Sequence, residues 1–136
     1  MPSRRVVVLV ALAVAYAAGI FVLSSSPVPA PAEEAVVTLG DKTLHGIEYA
    51  GLALLLALAV GAVKPEWRGK AALLALSAAV LYAASDEFHQ AFVPGRVADV
   101  LDFLADASGA VLGAGIGYIW MGRAARRAAA SATSPR

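Results

Sequence analysis

The residues able to do chemistry fall in three short blocks of the 136-residue chain. In Ser85–Arg96, SDEFHQAFVPGR, Asp86, Glu87, His89 and Gln90 come first, then a Pro-Gly turn and Arg96. In Asp41–Leu52, DKTLHGIEYAGL, Asp41, His45 and Glu48 follow i, i+4, i+7, and Lys42, His45 and Tyr49 form an overlapping helical face. In Asp99–Gly113, DVLDFLADASGAVLG, Asp99, Asp102 and Asp106 follow i, i+3, i+7. Carboxylates are hard ligands suited to Mg²⁺, Ca²⁺ or Mn²⁺. His45 or His89 could serve as general base or acid, and Lys42 and Arg96 could hold a phosphate. Ser85 has no evident base arrangement. Cysteine is absent, which excludes a disulfide framework, a Cys-based zinc site and a thiol nucleophile.

The elements carrying these blocks are set by composition. Hydrophobic residues make up 60% and charged residues 15%, too apolar for a domain surrounded by water. A spanning helix needs about 20 mostly apolar residues, and four segments qualify: 6–23, 44–63, 71–92 and 100–121. The reading is an all-α integral membrane bundle of four helices over residues 1–123, followed by a flexible basic tail, 124–136. The first segment follows Arg4 and Arg5, as in a signal peptide. Its apolar run exceeds the roughly 7–15 residues of such a peptide's core, so an uncleaved helix is expected.

Charge orients the bundle. Arg4, Arg5, Lys64, Arg68, Lys70, Arg123, Arg126, Arg127 and Arg136 fall on one side, leaving Lys42 and Arg96 on the other. Short cytoplasmic loops are enriched in Lys and Arg, so both termini are expected in the cytoplasm. Among the acids, Glu66 alone is on the inner side. The Pro-rich stretch Ser24–Gly40 is expected to run over the outer surface, with Trp67 and Trp120 at the inner interface.

Depth then gathers the blocks. At about 1.5 Å per residue, Glu48, Tyr49, Asp86 and Asp106 each lie roughly 9 Å below the outer helix ends. Below Asp106 come Gly109, Gly113 and Gly117, a spacing that lets backbones approach. Asp102 and Asp106 share that glycine face, which turns them inward. Seven acids at this level (Asp41, Glu48, Asp86, Glu87, Asp99, Asp102, Asp106) face Lys42 and Arg96, so protonation, ion pairing or a bound cation must relieve the crowding. The expected pairings are Arg96 with Asp99 or Glu87, and Lys42 with Asp86 or Asp102. A purely structural polar network is the alternative to a functional cavity.

Together the blocks resemble the VanZ-like family, named for a protein associated with resistance to the glycopeptide teicoplanin. The first block looks like that family's D-K-x-x-H-x-x-E-Y segment, the second like D-E-x-x-Q-x-x-x-P-x-R, and the third like D-x-x-x-N-x-x-G. The sequence departs at Asp106, where the pattern has Asn. The resemblance spans Asp41 to Gly113. It implies a multi-pass protein of the cell membrane and site residues Lys42, His45, Glu48, Tyr49, Asp86, Glu87, Gln90, Arg96, Asp102 and Asp106.

Two functions remain open at this point. One is a binding protein whose outer polar site holds a membrane-lipid or envelope headgroup, or a glycopeptide-type antibiotic, with a link to antibiotic resistance. The other is a metal-assisted enzyme acting on a lipid-linked phosphate or envelope precursor. Its candidate catalytic residues are His45, Asp86 and Glu87, and its candidate cation ligands are Asp86, Asp102 and Asp106. An anionic substrate would need a divalent cation amid so many acids. A proton- or ion-coupled carrier is disfavoured, because the inner half has almost no polar residues to continue a path. No nucleic-acid partner is expected, and the sequence does not set the oligomeric state.

Overall fold

A computed structural model describes residues 2–26 and 40–133. Most of the expected outer stretch Ser24–Gly40, the side chain of Asp41 and residues 134–136 lie outside the described residues. Among the described residues four helices follow in order: α1 (Arg4–Ser24), α2 (Asp41–Val63), α3 (Arg68–Gln90) and α4 (Val100–Thr133), with a 3₁₀ turn at Pro65–Trp67 leading into α3. There is no strand among the described residues. All four helices are long and apolar enough to cross a membrane, and the chain is an all-α membrane bundle.

The core is made of small residues. On α3, Ala71, Ala75, Ala79 and Ala83 recur every fourth position and are all buried. On α4, Gly109, Ala110, Gly113, Ala114 and Gly117 are buried. The large apolar side chains point outward: Leu73, Leu81 and Phe88 are each more than 60% exposed. Lipid tails are as apolar as leucine, so large side chains gain little by turning inward. Close backbone packing holds the helices instead.

The closest packing joins α2 to α4. A Cβ added at Gly109 would overlap the backbone carbonyl of Gly46, and one at Gly113 the carbonyl of Ala50. Only glycine permits this approach. It sets the register that brings the first turns of α2 beside the first turns of α4. The first helix lies at the edge, packing mainly on α2, and Tyr82 on α3 donates its hydroxyl to the Ala17 carbonyl at 2.8 Å.

One end of the bundle is basic. Arg5 lies 5.9 Å over the Trp120 ring, Arg68 donates to the Tyr118 hydroxyl at 2.8 Å, and Lys70 lies 5.2 Å over Trp67. The start of α1 and the later turns of α4 therefore share this end. The last helix corrects the expected boundary at Met121. It continues to Thr133, so the segment expected as a flexible tail is helical for most of its length. The reason is local: after Gly122 the sequence is Ala- and Arg-rich, with no proline before Pro135, and both residue types are strong helix formers. The extension adds roughly 18 Å beyond Met121.

Candidate functional site

The polar cluster occupies the opposite end, where α2 and α4 begin and α3 ends. Three geometric devices build it. The glycine contact between α2 and α4 sets the level of His45 against Asp106. The end of α3 presents Asp86, Glu87 and Gln90 on its buried side. A turn at Val93-Pro94-Gly95-Arg96, closed by the Arg96 N–H on the Val93 carbonyl at 3.1 Å, then reverses the chain into α4. Gly95, the third residue of this turn, has φ +82°, a left-handed conformation that favours glycine.

Lys42 joins two acids. Its Nζ donates to Asp99 Oδ2 at 2.5 Å and also to Asp102 Oδ1. Asp99 lies just outside the span, and the Lys42 ammonium holds its carboxyl below the usual range, with help from the Leu101 N–H. His45 Nδ1 lies 3.0 Å from Asp106 Oδ1. Glu87 Oε2 accepts the Asp99 backbone N–H at 2.8 Å, tying the end of α3 to the start of α4. Gln90 Nε2 donates to Asp86 Oδ2 at 3.3 Å along the same buried face. Glu48 is half-buried one turn below His45.

Several buried polar atoms have no hydrogen-bond partner among the described residues: Tyr49 Oη, Glu87 Oε1 and Asp106 Oδ2, with Ser24 Oγ at the end of α1. Asp106 is 0% exposed and Tyr49 likewise. A ligand atom from each of His45, Glu87 and Asp106 lies within 4.8 Å of the other two.

Placement differs from the sequence expectation in three respects. Of the acids singled out for a cation, only Asp106 belongs to the convergent group; Asp102 is held by Lys42 and Asp86 by Gln90. Arg96 pairs with neither Asp99 nor Glu87. Its Nε donates to the Ser26 carbonyl at 3.1 Å and its Nη2 to the Leu23 carbonyl at 2.9 Å, so it satisfies carbonyls at the C-terminal end of α1, where a cation is favoured. His89 leaves the cluster for α1, stacking on Phe21 at 4.8 Å with Nε2 3.0 Å from Ser25 Oγ. Lys42 does pair with Asp102, one of its two expected partners. Ser24, Ser25 and Ser26 were not singled out in the sequence; no periodicity or motif marks them.

A cavity of about 300 Å³ borders the cluster between α3 and α4, lined by Ala84, Glu87, Ala98, Asp99, Val100 and Phe103. Its lining combines two acidic residues, Glu87 and Asp99, with four apolar ones. A separate groove of about 420 Å³ between α1, α2 and α3, lined by Val10, Leu52, Leu56 and Val60 among others, has no charged group.

The fold and the site define a multi-pass helical membrane protein with a buried polar cluster at one end. Residues 6–121 match the VanZ/LLP1 family, and the chain belongs to that family. No curated protein matches the chain, and no solved structure does.

Proposed function

We propose that this VanZ-family protein resides in the cell membrane with both termini in the cytoplasm and binds a lipid or cell-envelope headgroup at its extracytoplasmic polar end. The orientation rests on the basic residues gathered at the other end, the cytoplasmic side by charge bias. The observation that carries the binding reading is the mixed lining of the cavity between α3 and α4. A headgroup there meets Glu87 and Asp99, while its chain runs along Val100 and Phe103. The volume, about 300 Å³, is at the small end of ligand pockets, about 300–1,000 Å³. It suits a headgroup rather than a whole glycopeptide. The surplus of carboxylates favours groups that donate hydrogen bonds, such as hydroxyls or amines.

A second reading, a metal-assisted enzyme acting on a lipid-linked phosphate, is favoured by one observation. His45 stands against buried Asp106, a pairing able to orient an imidazole for proton transfer. One experiment separates the two. Purified protein in detergent is incubated with lipid-linked phosphates and divalent cations, with lipid retention and product release both measured. The binding reading predicts lipid retained by the wild type, weakened at least about tenfold by Glu87→Gln, without turnover. Turnover by the wild type that is lost in both His45→Ala and Asp86→Asn would replace it with the enzyme reading. A change in teicoplanin susceptibility on expressing the wild type but not Glu87→Gln would tie the site to resistance.

A further inference from the structure

We propose that His45, Glu87 and Asp106 form a binding site for one divalent cation of the Mn²⁺ or Zn²⁺ class. Three different helices supply the ligands: α2 gives His45, α3 gives Glu87 and α4 gives Asp106. One donor atom from each lies within 4.8 Å of the other two.

Proximity of acids alone would carry little. The second observation is the state of their outer atoms. Asp106 is 0% exposed and Glu87 9%; Asp106 Oδ2 and Glu87 Oε1 are both buried without a hydrogen-bond partner among the described residues. A buried carboxylate oxygen without a partner is costly. The neighbouring cations are committed elsewhere. Lys42 joins Asp99 and Asp102, and Arg96 bonds the carbonyls of Leu23 and Ser26.

The donor set selects the ion. One imidazole and two carboxylates suit Mn²⁺ or Zn²⁺ better than Ca²⁺ or Mg²⁺, which prefer oxygen throughout. The spacing fits a common ion. His45 Nδ1 and Asp106 Oδ1 are 3.0 Å apart, and two adjacent ligands at about 2.1 Å from one metal are roughly 3 Å apart in an octahedral shell. Opposite ligands of an octahedral Mn²⁺ shell are about 4.2 Å apart, and any two of a tetrahedral Zn²⁺ shell about 3.4 Å, so the group needs to close by roughly 0.6–1.4 Å. Glu87 is the side chain to do so, since its Cγ and Cδ torsions leave it adjustable. Its other oxygen stays on the Asp99 N–H, which orients it as outer-shell partners orient metal ligands. Three protein ligands leave coordination places for water or for an oxygen of a bound headgroup. The site does not require the headgroup reading, because the ion is tested without lipid.

The test uses the full chain in detergent, stripped with a chelator and titrated with Mn²⁺ followed by electron paramagnetic resonance. A parallel titration with Zn²⁺ is followed by thermal unfolding. The wild type is expected to bind one ion per chain saturably and to gain thermal stability. Asp106→Asn and Glu87→Gln, which preserve shape, each weaken affinity at least about tenfold. Glu66→Gln, at the opposite end of the bundle, leaves affinity within about threefold. Helicity by circular dichroism certifies each variant, and either triad variant decides the assignment if the other fails to fold. Absence of saturable binding by the wild type overturns the proposal. So does wild-type affinity in both folded triad variants, or a loss in Glu66→Gln equal to theirs.

Discussion

Lys42 holds Asp99 and Asp102 together, and this leaves the deeper acids to other partners. The pairing has a pH signature. The carboxyl of Asp99 is held below its ordinary value by Lys42. A carboxylate with a depressed folded pKa stabilises the native state above its unfolded pKa, about 3.9, and loses that contribution as pH falls through the lower folded value. The gap in melting temperature between the wild type and Asp99→Asn in detergent is therefore expected to be constant above about pH 5 and to close as pH falls below about 4. A gap that persists unchanged to pH 2 would contradict the pairing. Much of this scale was legible in the sequence. Helical spacing and depth put Glu48, Tyr49, Asp86 and Asp106 at one level and offered Asp102 as a partner for Lys42, whereas the meeting of His45 with Asp106 across two helices depends on register. The Arg96 partners were not legible, because backbone carbonyls at a helix end carry no side-chain signature. Glu87 was expected among the site residues but not among the cation ligands, for a geometric reason. Neighbouring helix residues point about 100° apart, and spacing alone does not say which of Asp86 and Glu87 faces α4.

At the scale of elements, contact between the backbones of α2 and α4 sets the site. Replacing Gly109 with alanine puts a methyl group into the Gly46 carbonyl, and backbone cannot rotate aside. The expected cost is about 1–3 kcal/mol, as for overpacking elsewhere. Gly115 on the same helix has nothing within 4 Å of an added Cβ, and Gly115→Ala is expected to be neutral or to stabilise by up to about 1 kcal/mol. Unfolding of the two variants in mixed detergent compares them directly. Equal effects would mean that the α2–α4 contact does not govern stability. Four helices and the glycine face were readable because hydropathy and small-residue spacing are local. The partner of that face, Gly46 and Ala50, was not readable, since it depends on register between distant segments. The end of α4 was missed for another reason: hydropathy marks where apolar character stops, whereas alanine and arginine carry the helix onward to Thr133.

For the whole molecule, the two ends of the bundle differ in charge. Arg5, Lys64, Arg68 and Lys70 gather with aromatic rings at one end, and Lys42 with the buried acids at the other. The functional reading depends on which end faces out. Cysteine is absent from the chain, so single cysteines report without background. Val97, 81% exposed in the turn between α3 and α4, marks the polar end, and Ala128, exposed beyond the basic end of α4, marks the other. Labelling intact cells that express Val97→Cys or Ala128→Cys with a membrane-impermeant thiol reagent is the most direct test. The account predicts modification of Val97→Cys in intact cells and of Ala128→Cys only after the membrane is opened. The reverse pattern would put the polar cluster in the cytoplasm and contradict an extracytoplasmic headgroup site.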